Sequence, residues 1–539
     1  MFDWQPFFRS FLLALLLTLL FAQPNLAAQR IYLSYGILGR SLTLTQLEQF
    51  AETGVATGIL SDILNRFSPE QQTAVRSALQ SHYPVNPVMI DRFAYTSSGE
   101  RLLQEAGQIL QSAARLNGFK GIRSAAILAA DQPEGMSLLG FLRQFPTDLR
   151  IDLQQLLQLI QRVSTILQQT RQIVASLNQQ TLATAQSAHR SIDFSHQPDL
   201  RRPGSFAYHK QTIQFQDTER QRQFAADVYL PHTNSLLDPN HTKIPVIIGS
   251  NGLGAGRDRF EEIAPHLASH GFAVIVPDHP GSDRQRLREF YAGLHPENFD
   301  ATEYLDRPLD IRFVLDDLEH RNAREFGDRL NLQQVGLFGY SFGGTTALSL
   351  AGAQFDFEFL ASDCQTEMGL VNISLLYQCR ALELPREPVN LKDDRIKAAF
   401  IFVPFGKSLF GQTGMKTVDI PIFWQVTDLD VLTPLAVEQI PAFQALTQPD
   451  RYLAITEGLP HARVTYDILN RFTGSTTPWE TLKWIAQDYQ NALSLAFFQV
   501  YLWQDQTYRD YLTPNYALAI TQDSYRLSLV RSIEETSQK

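Results

Sequence analysis

Apolar positions along the chain follow two different periods. Through residues 29–190 they recur at steps of three and four. Leu44, Leu47 and Phe50 follow Thr43-Leu-Thr-Gln46, and Ala74, Val75, Ala78 and Leu79 follow Ser68-Pro69-Glu70-Gln71. Both tetrads are capping-box patterns, the second with proline at the first helical position, so the spacing predicts helices behind them. Another helix opens at Gly99-Glu100, with Leu102, Leu103, Ala106, Ile109 and Leu110 on one face. The longest predicted helix runs from Asp152 to about Gln180. Leu153, Leu156, Ile160, Val163, Leu167, Thr170, Val174 and Leu177 form its heptad seam. Residues 29–190 therefore read as an all-α N-terminal domain. Its long helix packs on that domain, or else serves as a lid, a dimer seam or a surface that meets lipid.

Residues 191–205 are polar, contain Pro198 and Pro203, and read as a linker. Beyond them the period shortens. Phe206–Phe215 and Phe224–Leu230 predict a hairpin. Ile244–Gly249, Gly271–Pro277, Val335–Phe338, Ala398–Val403, Ile420–Val426 and Tyr452–Thr456 are short apolar runs of the buried-strand kind. Helical patterns at Arg257–His270, Pro308–Asn322 and Thr345–Ala351 lie between them. Alternation of this sort predicts an α/β domain over 206–539, a mostly parallel sheet with helices on both faces. Ligands of such sheets sit at the carboxyl ends of the strands.

Composition narrows the classes. The 539 residues are 44% hydrophobic and 19% charged, enough for a buried core and against global disorder. A net charge of −10 argues against a nucleic-acid partner. Two cysteines exclude a disulfide-dense scaffold and a cysteine-rich zinc module.

The amino terminus has the order of a secretory leader. Arg9 precedes a run from Phe11 to Ala22 broken only by Thr18, then Pro24 and the small residues Ala27 and Ala28. The run falls short of the roughly twenty residues a bilayer span needs. Residues 1–28 are thus expected to be a leader cut after Ala28, the alternative being a retained membrane anchor. In an oxidising compartment Cys364 and Cys379 are expected to form a disulfide.

One motif carries chemistry. Gly339-Tyr-Ser341-Phe-Gly343, with Gly344 behind it, is G-x-S-x-G set between a strand and a helix. That turn is sharp, and small residues on either side let the serine hydroxyl project at the top of a sheet. In the corresponding fold the acid and then the histidine follow the serine in sequence. Only His461 of the 12 histidines lies after Ser341. The acid is expected at the end of Ile420–Val426, as Asp430 or its competitor Asp428. The oxyanion donors are the Phe342 N–H and one from Gly249-Ser-Asn-Gly-Leu253-Gly254, with Leu253 chosen and Gly252 and Asn251 as alternatives. This loop lacks a P-loop's lysine, so nucleotide binding is not indicated. The set needs neither metal nor organic cofactor. Residues 354–395, which hold both cysteines, read as a cap inserted over the acyl pocket.

Gly252-Leu-Gly254, Ala268-Ser-His-Gly-Phe272 and Gly339-Tyr-Ser-Phe-Gly-Gly344 resemble the α/β-hydrolases of the platelet-activating-factor acetylhydrolase and dienelactone-hydrolase group. Ala28–Gly36, Arg123–Gly135, Arg307-Pro-Leu-Asp310, Asn372–Leu376 and Ser408–Gln412 extend the resemblance to a cyanobacterial family of exported hydrolases with a helical N-terminal domain of unknown function. The resemblance implies a hydrolase of small-molecule or lipid carboxylic esters without fixing the substrate, to which Ser341, His461 and Asp430 would supply a Ser-His-Asp set; peripheral membrane contact through the helical domain is an expectation from its long helix. The resemblance also implies export to the periplasm, the thylakoid lumen or the medium. Acyl transfer through the same acyl-enzyme, or an exported binding or assembly protein on a hydrolase fold, are the alternatives. In one respect the chain departs from the acetylhydrolases, which carry the acid after the strand that follows the nucleophile helix. Here that strand ends Val403-Pro404, so the acid is sought one strand later.

Overall fold

A computed structural model describes residues 28–188, 192–232, 243–463, 465–467, 470, 477–522 and 524–533. The chain divides into two compact units, residues 1–161 and 162–539. The expected leader, apart from Ala28, lies outside the described residues. Ala28 itself belongs to the first unit. It is 4% exposed, and its N–H donates to the Phe145 carbonyl at 3.0 Å.

In the first unit both capping boxes are closed. Thr43 caps the helix Leu44–Thr53 with Gln46 reciprocating, and Ser68 caps Pro69–Gln80 with Gln71. The helix predicted at Gly99 starts slightly earlier, at Ser97, because Thr96 accepts the Gly99 N–H at 2.9 Å. Helices predominate, but the unit is mixed rather than all-α. Strand β1 (Arg30–Tyr35) pairs antiparallel with β2 (Leu38–Thr43). A two-residue strand β3 (His82–Tyr83) and a three-residue strand β4 (Leu110–Ser112) follow. After them come β5 (Met136–Ser137), which pairs with β3, and β6 (Leu149–Asp152). The order β2-β1-β6-β4 makes a small sheet. Only a few of its residues, such as Ile31, Leu42 and Leu149, enter the core with Phe141 and Phe145. Strands this short, carrying glycine, arginine and serine, leave too little alternation to be read from sequence.

The long helix is Leu153–Ser187, and the unit boundary falls inside it rather than at 190. Its seam is divided. Val174, Leu177 and Thr181 are buried in the second unit, whereas Ile160, Val163 and Leu167 are exposed. Residues 192–205, expected as a linker, are seated on the second unit. Leu200 is buried, and the Phe194 ring meets Tyr511 and Tyr516 at 5.6 and 5.0 Å.

The second unit is built on nine strands: β7 (Tyr208–Asp217), β8 (Arg222–Pro231), β9 (Ile244–Ser250), β10 (Ala273–Pro277), β11 (Leu330–Tyr340), β12 (Ile396–Phe402), β13 (Ile422–Thr427), β14 (Arg451–Thr456) and β15 (Leu527–Val530). Their order is β15-β14-β13-β12-β11-β9-β10-β8-β7. The six strands from β10 to β14 in that order are mutually parallel, and the edges are antiparallel. Strands β9, β10 and β12 are almost wholly buried because helices cover both faces. From β9 the chain moves to β10 on one side and later returns to β11 on the other. The crevice between the ends of β9 and β11 is thus a topological switch point. The register pairs Gly339 with Ser250, so the two strands end at the same level.

Between β11 and β12 lies the insertion 354–395, which contains the helices Phe357–Asp363 and Ile373–Gln378. Cys364 and Cys379 are joined in a disulfide. A second tie is polar. The buried Glu438 carboxylate accepts from Asn372 Nδ2 at 3.0 Å and Gln378 Nε2 at 3.1 Å, and from the N–H groups of Gly406 and Lys407. The disulfide closes a loop of 15 residues, worth about 3 kcal/mol in the chain-entropy account. A Cys364→Ala/Cys379→Ala variant is therefore expected to unfold at lower urea concentration by roughly that free energy. An unmoved midpoint would show that the Glu438 tie alone holds the insertion.

Candidate active site

The turn after β11 places a strained residue at the switch point. Ser341 has φ 53° and ψ −117°, with the helix Phe342–Leu350 starting at the next residue. A side chain at Gly343 would strike the Ser250 carbonyl, whose oxygen lies 1.9 Å from the ideal Cβ position. One at Gly252 would press on the Tyr340 ring and on Ser341 Cβ, at 3.0 and 3.3 Å. The glycines thus allow the loop after β9 to lie directly against the serine turn.

Two further strand ends bring polar groups to the same place. The loop after β14 carries His461, 5% exposed, whose Nε2 lies 3.1 Å from Ser341 Oγ. The loop after β13 carries Asp430, 3% exposed, whose Oδ2 lies 2.6 Å from His461 Nδ1. Asp430 also accepts from the Thr433 hydroxyl at 2.5 Å and from the N–H groups of Leu432 and Thr433, both at 2.8 Å. Burial would raise the Asp430 carboxyl, but His461 and the Thr433 donors outweigh it and hold the group below the usual carboxylate range. The ionised carboxylate assigns the proton to Nδ1, which leaves Nε2 to accept from the Ser341 hydroxyl.

Behind this row stands a buried amide. Gln439 donates to Thr433 Oγ1 and to the Pro404 carbonyl, both at 2.7 Å, and accepts from Trp424 Nε1 at 2.7 Å. The histidine loop is pinned twice more. Tyr340 donates its hydroxyl to the His461 carbonyl at 2.9 Å. Asp428, the competing aspartate, makes no hydrogen bond to the imidazole and accepts the Gly458 N–H at 2.7 Å. Burial pushes its carboxyl up to about 6. Gln439 has no spacing relative to Ser341 that sequence reasoning could use; the helical turn Leu435–Gln439 after β13 brings it to the site. Tyr340 adjoins Ser341 in the motif, but only the fold brings its hydroxyl to the His461 carbonyl.

The loop after β9 and the serine turn after β11 leave backbone donors open. Among the described residues neither the Leu253 N–H nor the Phe342 N–H has a hydrogen-bond acceptor. Beyond Leu253 the donors are engaged: Gly254 N–H donates to the Ser282 carbonyl at 2.8 Å, and Ala255 N–H to the Gly252 carbonyl at 3.2 Å; before it, the Asn251 and Gly252 N–H groups, like that of Leu253, have no acceptor among the described residues. Beside Phe342 lies an aromatic layer of Phe299, Tyr304 and Phe405, with ring centroids 5.0–5.5 Å away. The insertion adds Tyr377 to it, 6.0 Å from Phe299. A shallow cleft opens along His461, lined also by Arg259, Leu459, Trp479 and Lys483.

A second serine–histidine–aspartate row lies below the first. Ser250 Oγ is 3.1 Å from His279 Nε2, and His279 Nδ1 is 3.1 Å from Asp310 Oδ2. All three are at most 1% exposed. Burial pushes the His279 imidazole down to about 4, helped by the nearby Arg307. With no access for a reactant, this row is part of the scaffold. Among the described residues no group of histidine, cysteine and carboxylate side chains is disposed to hold a metal ion.

Comparison with known families gives two matches. The family described as an alpha/beta hydrolase of unknown function (DUF1400) matches residues 27–152. The alpha/beta hydrolase fold matches residues 245–354, which span the loop after β9, the serine turn and its helix. No curated protein matches the chain significantly. The order of the nine strands agrees with the second match, and the chain belongs to the α/β-hydrolase superfamily.

Proposed function

We propose that this protein is an exported serine hydrolase of carboxylic esters. One observation carries the reading: the unbroken row from Asp430 through His461 to Ser341, 2.6 Å and then 3.1 Å between heavy atoms, ending at a half-buried hydroxyl. His461 Nε2 takes the Ser341 proton as Oγ attacks the acyl carbon. Asp430 holds the imidazole in the required tautomer and stabilises the imidazolium that forms. The N–H groups of Leu253 and Phe342 bind the developing oxyanion. His461 then protonates the leaving alcohol, and water, deprotonated by the same imidazole, releases the acid.

The aromatic layer beside Phe342 favours an apolar acyl group, and the cap 354–395 closes over that side. Lipid esters fall within this class. Transfer of the acyl group to an alcohol would use the same intermediate, and product analysis with added alcohol separates it from hydrolysis. A role as an exported binding or assembly protein needs none of this alignment. The disulfide suits an oxidising compartment, and no described helix is long and apolar enough to cross a membrane. Because Ala28 is buried, removal of the leader is expected to occur just before it. Amino-terminal sequencing of the exported protein should then begin at Ala28; a start at Gln29 would put the cut after a residue the fold holds.

Ser341→Ala should abolish labelling by a fluorophosphonate probe and turnover of a p-nitrophenyl ester series. Undiminished labelling would overturn the proposal.

The two aspartates separate by role. Asp430→Asn is expected to lower kcat by roughly 10⁴-fold, since the amide stabilises the wrong imidazole tautomer. Asp428→Asn keeps an acceptor for Gly458 and should stay within about tenfold of the parent, because it touches no reacting group. Equal losses would show that the acid has been misassigned.

Asp428 also makes a pH prediction. Its carboxyl is raised from 3.8 to about 6, so the folded state holds its proton more tightly than the unfolded chain does. Its contribution to stability should decline as pH rises from 3.8 through about 6. The difference between parent and Asp428→Asn thermal midpoints, followed from acid to neutral pH, should therefore widen in the variant's favour. A constant difference would contradict the burial argument.

A further inference from the structure

Arg307 is fully buried, yet no step of the proposed chemistry uses it. It lies in the helix Glu303–Glu325, and its guanidinium reaches the underside of the loop after β9. Nη2 donates to the Asn251 carbonyl, and also lies 3.3 Å from Asn251 Oδ1 and 3.4 Å from Ser250 Oγ. Nη1 donates to Ser282 Oγ at 3.0 Å. The guanidinium carbon sits 4.5 Å from the centroid of the Phe342 ring.

These contacts bracket the Leu253 and Phe342 donors. The Leu253 N–H belongs to the peptide whose carbonyl, Gly252, accepts from Ala255. The peptide before it is fixed by Arg307 at the Asn251 carbonyl. The peptide after it is fixed by Gly254 N–H on the carbonyl of Ser282, the residue whose hydroxyl Arg307 also holds. The Phe342 N–H sits on a residue whose ring is confined by the guanidinium on one side and by aromatic rings on others. One planar group with fixed donor directions therefore touches both halves of the donor pair.

The surroundings hold the guanidinium in turn. Ser282 Oγ donates to Glu303 Oε2 at 2.6 Å. Ser250 is set by His279, which Asp310 orients. Asp310 is further held by Arg220 and Arg222, at 2.9 and 2.8 Å. The second serine–histidine–aspartate row thus ends on the same loop, as a support.

We infer that Arg307 is a positioning residue for transition-state binding: it fixes the Leu253 and Phe342 N–H groups where the oxyanion forms. The inference rests on the ester-hydrolase reading above. It differs from a general stabilising role in predicting a kinetic signature, because donors aimed at the oxyanion matter more in the transition state than in the bound substrate.

The test uses the full mature chain with p-nitrophenyl butyrate as substrate and phenylboronic acid as a tetrahedral mimic at the serine. Arg307→Lys keeps the charge but loses the fork. It is expected to lower kcat by about 10²-fold with KM within about twofold, and to weaken boronate inhibition by a comparable factor. If Arg307→Lys does not fold, as judged by circular dichroism, Ser282→Ala decides the matter. It frees Nη1 and removes the donor to Glu303 Oε2, leaves the Nη2 contacts to Asn251 in place, and should lower kcat about tenfold, again at nearly constant KM. Unchanged kcat in the folded variant, or a loss confined to KM, or a fall in kcat with boronate affinity unmoved, would each overturn the inference. Ser341→Ala runs beside it. Activity that survives Ser341→Ala defeats the functional reading itself. Serine-dependent activity indifferent to Arg307 and Ser282 defeats only the positioning role.

Discussion

The closeness of β9 and β11 at their carboxyl ends is the constraint on which the site depends. Six parallel strands set the level of the loops, and here two of them meet backbone to backbone. Gly343 lies so close to the Ser250 carbonyl that a Cβ has no room, and Gly252 rests on Ser341 itself. A residue with φ 53° follows from the same crowding, because the chain must turn from strand to helix without passing through the loop beside it. The surrounding sheet overdetermines that conformation: Ser341 N–H is held by the Phe402 carbonyl of the neighbouring strand. The Ser341 hydroxyl is consequently placed by the backbone, before any side-chain contact is made.

Two rows of the same three residue types show what environment does with identical chemistry. In the upper row the histidine faces a half-buried serine, and its aspartate is held ionised by four donors. In the lower row the histidine is fully buried and pushed towards its neutral form, its serine is engaged by an arginine, and its aspartate serves two arginines as well. Geometry alone would not separate them, since the serine–histidine distance is 3.1 Å in both. Access and the number of competing partners do.

Much of the α/β unit is legible in sequence because its strands are continuous apolar runs and its nucleophile turn has a fixed pattern. His461 is legible by elimination, being the only histidine after Ser341. Asp430 is preferred to Asp428 in sequence by its place four residues before Pro434, but both sit in one short loop, and the hydrogen bonds of each side chain are what separate the imidazole partner from the loop anchor. The N-terminal sheet escapes for a different reason. Leu38-Gly-Arg-Ser-Leu-Thr43 has no strict alternation, and β4 spans three residues. The unit boundary escapes because a heptad seam does not record what buries it. Val174 and Leu177 meet the second unit, whereas Ile160 and Leu167 on the same helix stay in solvent.

Arg307 escapes for the most general reason: a buried charge network has no local signature. Its members come from β8, from the loops after β9 and β10, and from one helix, and nothing in their spacing marks them. Physical chemistry nevertheless sets terms for such a residue. Removing one partner of a buried ion set costs about 3–5 kcal/mol, whereas replacing the whole set by apolar side chains is often neutral or stabilising. Stability alone therefore gives no reason to place a guanidinium beneath this loop. An apolar side chain of similar volume would also pack against Phe342, but it would leave the Asn251 carbonyl unpaired and the peptide free to rotate. Lysine would supply charge without the fork that reaches Asn251 and Ser282 at once. Arginine alone joins those demands. That is the structural reason to connect the network beneath the loop with the Leu253 and Phe342 N–H groups above it.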